Sequence, residues 1–67
     1  MQYQEYIKQP VVENKFNTMF EEQKKYFKKK YSTLGIDGDR LESVAIKIAF
    51  VSTDIYFSEL HMQESRN

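Results

Sequence analysis

The sequence predicts an all-α protein: an antiparallel helical hairpin that dimerises into a four-helix bundle. Three observations carry that expectation. Pro10, Gly35 and Gly38 are the only strong breaks in 67 residues, apolar residues recur at steps of three and four, and the two long segments between breaks have similar lengths. The breaks divide one small domain into a leader over 1–10, helix 1 over 11–34, a turn over 35–38, helix 2 over 39–64 and a tail over 65–67.

In the leader, Tyr3, Tyr6 and Ile7 are spaced for one helical face and suit the open end of a bundle. The opening "MQYQEYIKQP" has neither the basic start nor the apolar run of a secretory signal. The longest apolar run, "IAFV", is far short of a membrane span. The expectation is a cytoplasmic protein without a membrane partner.

Helix 1 follows from Val12, Phe16, Met19, Phe20, Phe27, Tyr31 and Leu34, which line one side while lysines and glutamates fill the gaps. Pro10 suits the first helical turn, because its fixed φ is helical and its missing N–H has no intrahelical partner there. Gly35 suits the left-handed position that ends a helix, with Ile36 folding back towards Tyr31.

Helix 2 has two competing starts. Asp37 as N-cap pairs Ile36 with Leu41 as a hydrophobic staple, whereas Asp39 places Glu42 at the capping-box position. Beyond them the helix carries two apolar stripes. Leu41, Val44, Ala45, Ile48, Ser52, Ile55 and Met62 form one, assigned to helix 1; Ile46, Phe50, Phe57 and Leu60 form the other, assigned to self-association. A rival reading exists, because "SVAIKIAFVS" alternates and is rich in β-branched residues. With a turn at Thr53 and Asp54 it gives an α+β domain with a C-terminal β-hairpin.

Size favours a partner. A chain this short rarely buries enough apolar surface alone, and with no cysteine and a single histidine, disulfides and a structural metal are poor remedies. A homodimer is the natural one. The charge distribution agrees: the chain is neutral overall, yet residues 1–31 carry about +3 and residues 32–67 about −3, so halves of neighbouring chains attract.

Catalytic patterns are scarce. Asp54, Ser58 and His61 share a helical face but point outward in parallel, with no partner group to stabilise an oxyanion. His61 and Glu64 supply two metal ligands where a site needs more. The glycines of "LGIDGDRLES" lack the lysine and spacing of a phosphate loop, and the acids lack the regular spacing of a calcium loop. No cofactor and no enzymatic activity are expected.

The strongest binding motif is "EEQKKYFKKKY", in which Lys24, Lys25, Lys28, Lys29 and Lys30 form a positive strip along helix 1. Five such lysines on duplex phosphates give a log–log salt slope of about −4.5. The plainer reading is a solvated strip near the helix's negative end, with Glu21 paired to Lys25. The functional expectation is a self-associating, non-catalytic protein that works through a protein partner as a regulator, inhibitor or adaptor. Its composition leans towards an A+T-rich phage or mobile-element genome. The alternative is a dimeric nucleic-acid-binding accessory factor using the lysine strip.

Overall fold

Pro10 opens the first long helix of the computed structural model, which describes residues 2–66; Met1 of the leader and Asn67 of the tail lie outside the described residues. The elements are α1 (Tyr3–Tyr6), α2 (Pro10–Thr33) and α3 (Gly38–Ser65). The protein is all-α, and the described residues contain no strand. The α+β alternative is therefore corrected: residues 44–57 lie wholly within α3. On the helix, Val44 and Ile48 share one flank and Ile46 and Phe50 another. The alternation that resembled a strand thus comes from two rows on opposite sides of one helix.

The helix ends follow local chemistry. Leu34 closes α2, Gly35 takes φ 91°, and the Gly35 and Ile36 N–H groups donate to the Ser32 and Tyr31 carbonyls at 3.1 and 3.2 Å. This is a Schellman stop, and the positive φ is why glycine stands there. Asp37 occupies the N-cap of α3, and Leu41 N–H donates to its carbonyl at 3.2 Å. Both starts that the sequence offered invoked a side-chain cap, and none forms at Asp37.

The core is a single row on α3. Leu41, Ala45, Ala49, Thr53 and Phe57, at steps of four, are its buried residues. The middle of that row is small, so α2 approaches closely and lays its larger side chains beside it. Thr53 is fully buried and keeps its hydroxyl satisfied by donating to the Ala49 carbonyl at 2.7 Å.

Phe16 meets Phe50 and Phe57 with ring centroids 5.9 and 5.4 Å apart, Phe20 meets Phe50, Ser52 donates to Gln23, and Lys28 pairs with Glu42. Residues late in α2 thus meet residues early in α3. α1 packs on the far part of α3, burying Tyr6.

Two helices side by side leave a thin, extended molecule. Its Cα extents are 45 × 20 × 14 Å and its radius of gyration is 14.0 Å, against about 11 Å for a compact domain of this length. Its accessible surface is 5255 Å², whereas a folded monomer of this mass exposes about 4,500 Å². Much of α3 has nothing packed on it.

Candidate interaction surfaces

The surface of α3 is set by which row α2 covers. α2 takes the Leu41–Ala45–Ala49–Thr53–Phe57 row, which leaves Val51, Ile55 and Met62 more than half exposed. Val44 and Ile48 are half-buried at the edge. Lys47, Ile48, Val51, Ser52 and Ile55 line an open hollow of about 460 Å³ whose exposed atoms are nearly all apolar.

The stripe assigned by sequence to helix 1 is thus divided. Leu41 and Ala45 face α2, whereas Ile55 and Met62 face outward.

The four residues assigned to self-association fare differently. Ile46 is exposed, and Phe50 is half exposed, with its ring in T-shaped contact with both Phe16 and Phe20. Phe57 is only 3% exposed, so its assignment to an outer stripe is corrected: it belongs to the contact between α2 and α3. Leu60 is half-buried beside a second hollow that it shares with Met19, Tyr56 and Phe57. Sequence reasoning missed Ala49 and Thr53, which are small and weakly apolar; the signal available was their place in an unbroken run of four-residue steps from Leu41 to Phe57.

The lysine strip is partly spent within the chain. Lys24 pairs with Glu21 at 3.2 Å and stands over the Phe20 ring, which replaces the expected Glu21–Lys25 pair. Lys28 pairs with Glu42 at 3.0 Å, joining the basic and acidic halves inside one chain. Both pairs are open to solvent, Lys24 only in part, and each contributes at most about 1 kcal/mol. Lys25, Lys29 and Lys30 stand exposed, with Tyr26 exposed among them, while Phe27 and Tyr31 are half-buried and stacked at 6.2 Å.

The polar face at Asp54, Ser58 and His61 has a structural occupation: it seats α1. The Tyr3 hydroxyl donates to Asp54 Oδ1, and the His61 ring lies 6.0 Å from Tyr3 and 5.1 Å from Tyr6. Burial pushes the Tyr3 phenol above its ordinary pKa, and Asp54 adds to the shift. Burial also raises Tyr6, reinforced by the negative charge of Glu64. Among the described residues, no group of three or more His, Cys, Asp or Glu gathers to hold a metal ion, and no helix is long and apolar enough to cross a membrane.

No family model, curated protein or solved structure matches this chain.

Proposed function

We propose that the chain is an antiparallel helical hairpin that self-associates, two hairpins forming a four-helix assembly, and that it acts by binding another protein as a regulator, inhibitor or adaptor rather than by catalysis. The observation that carries this reading is the uncovered outer face of α3, where Val51 and Ile55 are 54% and 55% exposed in a surface that is almost wholly apolar. Scattered apolar residues need no explanation, but a contiguous apolar face on a helix marks a contact site. The excess of accessible surface over that of a compact monomer supports the same conclusion. Analytical ultracentrifugation across nanomolar to high-micromolar concentration tests it. The reading expects a concentration-dependent dimer, and a monomer throughout would reject it.

A second reading has its own observation. Lys25, Lys29 and Lys30 project into solvent around the exposed ring of Tyr26, an arrangement that suits phosphates with a base stacked between them. Because Lys24 and Lys28 already have carboxylate partners, about three cations remain, and the log–log salt slope on duplex DNA falls from about −4.5 to about −2.7. Titration of an oligonucleotide at several salt concentrations checks that slope.

A further inference from the structure

We infer that the outer face of α3 docks against the same face of a second copy, with the two α3 helices antiparallel and Ile48 opposite Val51 of the second copy. This rests on the self-association proposed above and adds the surface, the direction and the register.

Val44, Ile48, Val51 and Ile55 follow one another at steps of four, three and four, and Ser58 and Met62 continue the rhythm. That is the seam of a coiled coil, in which apolar residues repeat every 3.5 residues on average. It is a different row from the four-residue steps that face α2, so α3 has the periodicity for two neighbours. The far end of the seam is crowded by α1, because Tyr3 seats on Asp54 and the half-buried Ser58 lies one turn beyond. The free part runs from Val44 to Ile55, which is where the apolar hollow lies.

Charge then selects the register. A two-fold axis perpendicular to α3 sets each flank of the seam against its own equivalent, so Arg40, Lys47 and Asp54, which share one flank at seven-residue steps, meet their own kind or one another. With Ile48 opposite Val51 of the second copy, Val44 faces Ile55 and Lys47 stands beside Asp54, each of these twice. The Tyr3 hydroxyl occupies Asp54 Oδ1, which leaves Oδ2 to accept from the lysine.

Sliding the helices by one heptad in one direction brings Asp54 against Asp54 and puts Ser58 opposite Ile48. Sliding them the other way sets Arg40 against Asp54 but brings Lys47 against Lys47, puts Val51 opposite Leu41, which is already buried, and runs Ile55 against Asp37 at the start of α3. A parallel pairing sets Asp54 beside Glu59. Only one register joins four layers of accessible apolar side chains with two opposite-charge pairs and no like-charge pair.

The chain has no cysteine, so introduced thiols are unique reporters. The experiment mixes full-length Ile48→Cys and Val51→Cys proteins, oxidises them mildly and compares the mixed disulfide with each self-disulfide. Circular dichroism and sedimentation of the reduced proteins serve as the fold and dimer controls. The mixed species is expected to form at least about tenfold faster, because only this pair brings Cα atoms within disulfide reach.

A faster mixed disulfide between Val51→Cys and Ile55→Cys, or between Ile46→Cys and Phe50→Cys, overturns the register while leaving self-association intact. A monomeric wild-type protein overturns the proposed function itself. As an independent check, Lys47→Glu changes an exposed side chain at the rim of the hollow and is expected to raise the dimer dissociation constant about tenfold. An unchanged constant would count against the inferred pairing.

Discussion

Phe57 and Ile55 stand two residues apart on α3 and belong to opposite faces: Phe57 is 3% exposed against Phe16, and Ile55 is 55% exposed with nothing on it. Phe57→Ala is expected to cost about 3–5 kcal/mol of stability, by lost burial and the cavity left behind. Ile55→Ala is expected to cost the isolated chain less than about 0.5 kcal/mol. Urea unfolding of both variants at concentrations below association measures the contrast.

The small residues of the buried row predict an overpacking penalty. Ala49 is fully buried, and a leucine there pushes α2 away from the whole row. Ala49→Leu is expected to destabilise the chain by about 1–3 kcal/mol, read as a lower urea midpoint. The same substitution at Ser43, on the exposed side of α3, is expected to leave the midpoint nearly unchanged.

Gly35 has open space around it but a φ of 91°, so any cost of a side chain there is conformational rather than steric. Gly35→Ala is expected to lower stability by about 1–2 kcal/mol, measured by thermal melting followed by circular dichroism.

The seat of α1 predicts an alkaline dependence. Tyr3 and Tyr6 both hold their protons above the ordinary tyrosine value of 10.0 in the folded chain, chiefly through burial. The folded state therefore binds these protons more tightly than the unfolded state. Their contribution is complete below about pH 10 and is lost as pH rises from there through the raised folded values. Ultraviolet titration should show two tyrosines ionising late. Tyr3→Phe should remove one of them and cost about 1.5–3 kcal/mol, the range for a hydrogen bond to a charged acceptor.

The exposed lysines predict a salt-dependent contact or none. Lys25→Glu with Lys29→Glu leaves the two ion pairs at Lys24 and Lys28 intact and is expected to leave helicity unchanged. If the strip meets phosphate, fluorescence anisotropy with an oligonucleotide should show at least about a tenfold loss of affinity at low salt.

The sequence makes the helices legible because apolar residues recur at helical steps and both ends of α2 carry unambiguous chemistry. Pro10 begins α2, and Gly35 ends it in the conformation that only glycine adopts readily. What the sequence left obscure is the rotation of α3. Stripes drawn through its large residues put Ile55 inward and Phe57 outward, whereas the chain packs along Ala45, Ala49 and Thr53, whose value lies in being small. Hydrophobicity alone ranks those positions low, and close helix approach ranks them high. The polar row of Asp54, Ser58 and His61 was hard to read for a related reason. Its partners, Tyr3 and Tyr6, are about fifty residues away in sequence, and only the fold brings them together.

Sedimentation of the wild-type protein beside Ile55→Glu asks whether α3 packs on α2 with one face and on a second copy with the other. The wild type should form a dimer in the micromolar range, and Ile55→Glu should sediment as a monomer with its helical circular dichroism retained. A wild type that stays monomeric, or an Ile55→Glu protein that dimerises as tightly as the wild type, would contradict that packing.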